Sequence, residues 1–306
     1  MSESPRASVL NLDAEHELEA SGRYEPTRHL REIVARESRR LLGTLVAPGD
    51  VVVTEAELAA NDPHAARGLP GLAWSPTPRA KALLAAAGAL PVEAPDVRVL
   101  RTVNARPFAA LVREPLAAAS FAKFVALDRE SVLARLAQPA HDGWLVRRTF
   151  GAAGRCRRRI ASGRPTSAEL AWIDASLHLG PLVIEPWVHV VREYTRSAWV
   201  GRDGFVAISG PCLQSTTEHG AWTSTERAER DEVSREDDAA LEAAVDAAGA
   251  ALAGAGYLGP FGIDAYRHRA LDGSSRTVLN PLSEINARFT MDWTTAMSPE
   301  PLARFA

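Results

Sequence analysis

The sequence is poor in cysteine and has no long apolar run. Its two cysteines, Cys156 and Cys212, are too few for a disulfide scaffold or for a zinc site built on cysteine. No apolar run reaches the roughly 20 residues that span a bilayer. The first ten residues, MSESPRASVL, lack the charged-then-apolar pattern of a secretory signal. We therefore expect a cytoplasmic protein with no membrane partner.

Lysine is nearly absent as well. Lys81 and Lys123 are the only two among 35 basic residues, and the remaining 33 are arginine. A site that usually binds phosphate with lysine must here use arginine or do without. The 38 acidic residues give a net charge of −3, and the arginine cluster at 155–159 is short, so we expect no nucleic-acid partner.

Common nucleotide and hydrolase signatures are also missing. The sequence has no GxxxxGK followed by serine or threonine, which excludes an ordinary P-loop, and no GxGxxG after the first predicted strand. HExxH and CxxC are absent, and the absence of GxSxG weakens a serine-hydrolase interpretation.

The length and the order of apolar segments predict a mixed α+β protein. A chain of 306 residues exceeds one comfortable core, so two or three subdomains are expected. Strand, helix and strand candidates at 9–12, 28–42 and 51–53 indicate a small α/β layer with parallel pairing. Further helices are predicted at 79–87, 121–137 and 239–253, and further strands around 145–146, 182–184, 188–200, 263–266 and 283–289.

The segment NPLSEINARF at 280–289 places three polar side chains on one face of a predicted strand. Side chains two residues apart share a face, so Glu284, Asn286 and Arg288 project together against an apolar backing. Carboxylate and amide oxygens suit Mg²⁺ bound with phosphates, and a guanidinium suits a carboxylate or phosphate oxygen. The alternative is an ordinary surface face with a Glu–Arg pair.

The segment GPFGIDAYRH at 259–268 carries a second acidic candidate, Asp264, between Ile263 and Ala265. If this strand neighbours the strand at 283–289, Asp264 and Glu284 lie together. Two carboxylates repel unless cations bridge them, so a pair of Mg²⁺ ions would explain them. A solvated loop-facing aspartate is the alternative.

The segment LVRRTFGAAGR at 145–155 runs from a strand into a glycine turn. Gly151 and Gly154 let backbone N–H groups approach phosphate oxygens, and Arg147 and Arg148 supply positive charge. A hairpin turn beside a solvated basic cluster is the alternative.

The segment LVIEPWVHVVRE at 182–193 is an apolar strand that ends in Glu185, Pro186 and Trp187. A glutamate there is suited to meet the amino group of adenine, with backbone groups beyond the proline making the other ring contacts. An edge strand with a solvated Glu185 is the alternative.

Together and in this order, the four segments resemble the ATP-grasp superfamily. LVRRTFGAAGR resembles the segment that covers the phosphates in that family, and LVIEPWV resembles the hinge that holds adenine. GIDAY and EINAR resemble the two strands that carry the metal ligands. The ExNxR form of the second is similar to that of biotin carboxylase and related carboxylate–amine ligases. The helix and turn at 75–95 are similar to those that open the fold in D-alanine–D-alanine ligases. The resemblance implies an α+β ATP-grasp fold with two subdomains clasping the nucleotide, 75–186 and 187–306, preceded by a small α/β domain at 1–74.

The resemblance also implies a role for each matching residue. Asp264, Glu284 and Asn286 would bind Mg²⁺, and Arg288 and Arg147 would act in catalysis. Glu185 and the backbone beyond it would hold adenine, Glu193 would meet the ribose, and Arg147 and Arg79 would stand where the family has lysines. The implied nucleotide-binding residues are Arg79, Arg147, Gly151, Gly154, Glu185, Trp187, Val188 and Glu193. Further candidates are Lys81, Gln214 and His219. The sequence departs from some relatives at Gly262, where they have an arginine.

The implied activity is ATP-dependent, Mg²⁺-dependent ligation, with Mn²⁺ as an alternative cation. A small carboxylate would be activated as an acyl-phosphate, with release of ADP, for attack by an amine. The expected partners are those two small molecules, and a homodimer is one option for the assembly. A small-molecule kinase of the same fold, a catalytically silent ATP-binding regulatory module and a purely structural protein are the alternatives.

Overall fold

Three β-sheets follow one another along the chain, each with its own helices. The computed structural model describes residues 4–20, 22–60, 66–116, 124–151, 154, 156–204, 206–217 and 222–297.

The first sheet is the small parallel layer that the sequence predicts. Its strands are β1 (Ala7–Val9), β2 (Val51–Val52) and β3 (Gly71–Ala73), in the order β2-β1-β3. Its helices are α1 (Ala14–Glu19), α2 (Arg28–Ser38) and α3 (Glu55–Ala60), with a 3-10 helix at Arg39–Leu41. The turns after β1 and β3 meet at the carboxyl edge of this sheet, where the Asn11 amide donates to the carbonyl of Ser75 over 2.9 Å.

Three helices lead on from this sheet: α4 (Pro78–Ala86), α5 (Val97–Val103) and α6 (Arg106–Arg113). The first matches the helix predicted at 79–87. It begins at Thr77, whose hydroxyl accepts a hydrogen bond from the N–H of Ala80, and Pro78 follows in the first turn, where its missing N–H costs nothing.

The second sheet is antiparallel, with the order β4-β7-β5-β6. Its strands are β4 (Phe124–Ala126), β5 (Trp144–Arg148), β6 (Arg157–Ile160) and β7 (Leu182–Pro186), and its helices are α7 (Arg129–Leu136) and α8 (Ser167–Leu177). The helix predicted at 121–137, with Asp128 as a cap inside or between its parts, is therefore confirmed after Asp128 and wrong at 124–126. Residues 124–126 pair with the buried β7, and the helix begins only after Asp128, whose carboxylate accepts from the N–H of Ser131. Pairing with β7 decides the conformation of a short apolar run that local pattern leaves ambiguous.

The third sheet is antiparallel and carries most of the candidate residues. Its strands are β8 (Val190–Val200), β9 (Val206–Ile208), β10 (Cys212–Thr216), β11 (Trp222–Arg227), β12 (Gly259–Arg269) and β13 (Thr277–Asn286). Their order is β11-β10-β8-β12-β13, with β9 also paired to β8. The helices are α9 (Arg235–Gly254), which confirms the alanine-rich prediction, and α10 (Trp293–Met297).

The two faces of the third sheet differ in character. On one face, alanine and leucine side chains of α9 pack on Phe261, Ile263 and Ile285. Because side chains alternate along a strand, the intervening residues project to the other face. Asp264 and Glu284 lie there, so the packing of α9 fixes which face carries the candidate site.

The core of the first sheet is completed by residues from far along the sequence. Phe289, Trp293 and Met297 pack with Leu10 and Trp74. Each sheet falls within one of the predicted segments 1–74, 75–186 and 187–306, and the division into domains at those boundaries stays a prediction.

Within the described part of the chain, no helix has both the length and the apolar composition needed to cross a membrane.

Candidate functional site

The two acidic strands predicted to be neighbours are paired. Asp264 lies opposite Glu284 in the register of β12 and β13, and Gly262 lies opposite Asn286. The Asn286 amide donates from Nδ2 to Oδ2 of Asp264 over 3.0 Å. The structure thus confirms that Asp264, Glu284 and Asn286 lie together at the end of one hairpin.

The electrostatics of this cluster favour a cation. Burial raises the pKa of the Asp264 carboxyl to about 7, and the negative charge of Glu284 adds to the rise. No group of three or more histidine, cysteine, aspartate or glutamate side chains stands in a metal-holding arrangement among the described residues. A cation here would take two carboxylates and one amide oxygen from the protein, and phosphate or water oxygens would complete its shell. That all-oxygen donor set fits Mg²⁺.

Arg288 lies beside the cluster and is fixed by a residue that sequence reasoning missed. Glu15, at the start of α1, accepts from both Nε and Nη2 of Arg288 over 2.6 Å. The same guanidinium donates to Oδ1 of Asn286 over 3.0 Å and lies over the ring of Trp74. A buried carboxylate on α1 therefore orients a side chain that lies just after β13.

Two arginines approach Glu284 from the other side. Nη2 of Arg106 lies 3.2 Å from Oε1 of Glu284, and Nη1 of Arg147 lies 3.8 Å from Oε2. Arg106 also donates to the carbonyls of Arg148 and Gly151, which ties it to the glycine turn. The site therefore joins a negative half, at Asp264 and Glu284, to a positive half made of buried guanidiniums.

Arg79 lies at the start of α4, where it pairs with Asp13 and Glu55. Its role in nucleotide binding stays a prediction. Among the described residues, the guanidiniums within ion-pair distance of Glu284 are those of Arg147 and of Arg106, which the sequence reasoning did not single out. Arg106 was missed because an arginine at the start of a helix gives no local sign of the distant strand that it faces.

Glu185 is buried between two arginines. Its Oε2 lies 2.9 Å from Nη2 of Arg147, and its Oε1 accepts from Nη2 of Arg113. Burial opposes its ionisation, but the guanidiniums of Arg147 and Arg113 hold the pKa of the Glu185 carboxyl below its ordinary value. Both oxygens of Glu185 thus have cationic partners, and the contact with an adenine amino group stays a prediction.

The glycine turn after β5 has the backbone of a tight loop. Gly154 has φ 71° and Cys156 has φ 59°, both in the left-handed region, and Cys156 is only partly buried. Of the predicted phosphate-covering turn, residues 152, 153 and 155 lie outside the described residues. The predicted glycines Gly151 and Gly154 therefore flank the turn.

Part of the backbone that follows β7 is hydrogen-bonded within the second sheet. The N–H of Trp187 donates to the carbonyl of Gly143 over 2.9 Å, so it is not available to a base, and Arg159 lies over the Trp187 ring. Val188 follows and is half-buried. Glu193 lies further along β8, and burial raises the pKa of its carboxyl.

Two lesser candidates complete the set. Gln214 on β10 lies opposite Glu193 in the register of β8 and β10. His219 lies outside the described residues.

Gly262 leaves no room for a side chain. A Cβ on Gly262 would lie 2.7 Å from Cγ2 of Thr290, so a larger side chain fits there only if its surroundings shift. We expect Gly262→Ala to lower the free energy of unfolding by about 1–3 kcal/mol, the range for overpacking. Urea unfolding measures this, and adding Thr290→Ser, which removes the opposing methyl, should recover most of the loss. An unchanged stability in Gly262→Ala would contradict the contact.

Comparison with known proteins identifies the architecture. No known protein-family model and no curated protein sequence matches the chain. Its structure is similar to D-alanyl-alanine synthetase A from Vibrio cholerae, with a TM-score of 0.55 and 14% identity over 100% of this chain and 95% of that one. It is also similar to the pyruvate carboxylase of Rhizobium etli, with a TM-score of 0.54 and 14% identity over 96% of this chain and 27% of that one.

A third similar structure is the biotin carboxylase domain of the Hydrogenobacter thermophilus 2-oxoglutarate carboxylase, in complex with MgADP, ADP and bicarbonate. The TM-score is 0.50 and the identity 13%, over 94% of this chain and 59% of that one. The chain spans 51% and 54% of the length of two N5-carboxyaminoimidazole ribonucleotide synthetases that it also matches. These likenesses confirm the fold predicted from the four sequence segments.

Proposed function

We propose, on the premise that this chain has the ATP-grasp fold, that it is a Mg²⁺-dependent, ADP-forming ligase that joins a small carboxylate to an amine. The observation that carries the proposal is the two-sided site. Asp264, Glu284 and Asn286 offer oxygens to cations. Arg106 and Arg147 face the carboxylate of Glu284 from the opposite side. A polyphosphate with its cations has the complementary pattern of alternating charge.

Each half of the site would bind the triphosphate of the nucleotide in a different way. Asp264, Glu284 and Asn286 would hold Mg²⁺, which when bound neutralises charge on the β- and γ-phosphates. Arg106 and Arg147 would meet phosphate oxygens, with Gly151 and Gly154 flanking the backbone that covers them. The predicted segments 75–186 and 187–306 would be the two halves that close on the nucleotide.

The base and the ribose would lie along the hinge. Trp187 and Val188 follow β7 directly, and Glu193 lies on β8 beyond them. With the Trp187 N–H and both Glu185 oxygens engaged, the backbone of Val188 and the carbonyls of the hinge are the groups that we propose for the adenine. Glu193 would accept from a ribose hydroxyl.

The reaction would proceed in two balanced steps. A carboxylate oxygen of the first substrate attacks the γ-phosphorus, the bond to the bridging oxygen breaks, and ADP leaves. The amine then attacks the acyl carbon, the C–O bond to phosphate breaks, and the amine loses a proton as the amide forms. Arg288, once released from Glu15, would steady the substrate carboxylate. Exclusion of water matters because an acyl-phosphate hydrolyses readily.

A silent nucleotide-binding module is the second candidate. It is favoured by one observation: Arg288 is fully engaged with Glu15, Asn286 and the Phe289 carbonyl. ATP binding without ADP formation across mixtures of carboxylates and amines would support this candidate. A phosphorylated product in place of free phosphate would instead indicate a kinase. A homodimer stays one option for the assembly.

Nucleotide binding itself has a direct test in the two cysteines. Cys156 lies in the glycine turn and is partly exposed, whereas Cys212 is fully buried and serves as an internal reference. We expect a thiol reagent to modify Cys156 first, and MgATP to slow that reaction because the nucleotide covers the turn. At 100 times its dissociation constant MgATP should also raise the unfolding midpoint by roughly 5 °C.

The controls separate specific from general effects. A Cys156→Ser variant should lose the fast-reacting thiol and keep the MgATP-induced midpoint shift. Mg²⁺ alone and ATP with a chelator should each produce a smaller shift than MgATP. An unchanged midpoint with ATP, ADP and GTP would exclude a nucleotide role of any kind.

A further inference from the structure

Five charged side chains of alternating sign form one continuous array at the floor of the site. In order they are Arg113, Glu185, Arg147, Glu284 and Arg106. The array spans α6, the second sheet and β13, so it joins elements that the proposed nucleotide would lie between. Four of its five members are nearly inaccessible, and only Glu284 is partly exposed.

Arg147 is the centre of the array, and its contacts require a planar fork. Nη2 reaches Glu185 over 2.9 Å and the carbonyl of Ser283 over 3.3 Å, while Nη1 faces Glu284. A guanidinium offers five donors in one rigid plane, whereas an ammonium is a point charge on a flexible stem. The two carboxylates are contacted by different nitrogens of the fork, an arrangement that the single nitrogen of a lysine does not reproduce.

Arg113 stands behind Glu185 and does not face Glu284. It is 1% exposed, ends the helix that Arg106 begins, and also donates to the carbonyl of Leu282 on β13. With Arg113 on Oε1, Glu185 directs its other oxygen to Arg147. Removing Arg113 would leave Glu185 free to rotate and take Arg147 with it.

We propose that Arg113 and Glu185 are positioning residues that hold Arg147 toward the phosphate region, so that this site requires a guanidinium where lysine usually serves. The inference rests on the proposed nucleotide role of the site. Neither Arg113 nor Glu185 would contact phosphate. They act by fixing which way the fork of Arg147 points.

The test is a double-mutant cycle read out as MgATP affinity, measured from midpoint shifts and from protection of Cys156. Arg147→Lys and Arg113→Met should each weaken MgATP binding by roughly tenfold, the cost of one well-placed charged contact. In an Arg147→Met background, adding Arg113→Met should change affinity by less than about twofold, because nothing remains to be positioned. A merely structural arginine would lower affinity equally in both backgrounds.

The matched control is another buried arginine. Arg196 is 4% exposed and pairs with Asp238 of α9, on the opposite face of the third sheet. Arg196→Met should destabilise the protein while leaving MgATP affinity unchanged.

If Arg113→Met does not fold, Glu185→Gln keeps the shape of the side chain and should show the same dependence on Arg147.

The outcomes separate this inference from the proposed function. Wild-type affinity in Arg147→Lys, or equal losses from Arg113→Met with and without Arg147, would overturn the positioning role while nucleotide binding stands. No MgATP response in the wild-type protein would overturn both. Tenfold losses that vanish in the Arg147→Met background would support both.

Discussion

Replacing Glu284 by alanine is expected to lower the rate of ADP formation roughly 10³-fold, equivalent to about 4 kcal/mol of transition-state stabilisation. Glu284 faces both halves of the site, with Asp264 across the strand pair and Arg106 and Arg147 on its other side. Its loss would remove a cation ligand and also free two guanidiniums from their partner. The rate is measured with whichever carboxylate and amine mixture supports turnover by the wild-type protein.

The control for this variant lies on the same hairpin. Asp272 sits in the turn between β12 and β13, where it pairs with Arg276 on the surface. Asp272→Ala should keep wild-type turnover, and the unfolding midpoints of both variants without nucleotide should lie close to that of the wild type. Normal ADP formation by Glu284→Ala would contradict the assignment of the metal site.

The second large effect is expected at Trp293. This side chain is 2% exposed and meets Phe289 edge-to-face at 5.2 Å and Trp199 at 6.2 Å between ring centroids. Trp293→Ala should lower the free energy of unfolding by about 3–5 kcal/mol, because a large cavity opens between the first and third sheets. Urea unfolding followed by circular dichroism measures the loss.

A surface tryptophan provides the comparison. Trp222 on β11 is partly exposed and is covered by the guanidinium of Arg40 at 4.2 Å. Trp222→Ala should cost about 1 kcal/mol or less, as expected for an exposed cation–π contact. Equal losses for the two variants would show that Trp293 does not join the sheets.

The sequence predicts the clustering of Asp264, Glu284 and Asn286 well because the geometry of the cluster is local. Alternation along a strand puts Glu284 and Asn286 on one face, and a hairpin of two late strands brings Asp264 opposite them. The parallel first sheet and α9 are predictable for the same reason, since periodicity and glycine stops are read over a few residues. The register follows from the pattern because a slip of one residue would turn the acids toward α9 and the apolar core on the other face.

The charged partners of these residues are not predictable in that way. Three charged residues on short helices, Arg106, Arg113 and Glu15, have an unexceptional local pattern. Each contacts a charged partner more than 70 positions away in the sequence. Likewise the strand at 124–126 exists because β7 pairs with it. Long-range ion pairs and strand pairings are decided by tertiary contacts, which the periodicity of the sequence does not reveal.

The dependence of the amino-terminal layer on residues 289–297 has a consequence during synthesis. Leu10 and Trp74 receive their apolar cover from Phe289 and Trp293, and Glu15 meets Arg288 across 273 positions. A ribosome needs roughly 10–40 s to translate the intervening stretch. For that interval the nascent layer presents uncovered apolar surface, so a polypeptide interrupted before α10 would expose this surface to chaperones and proteases.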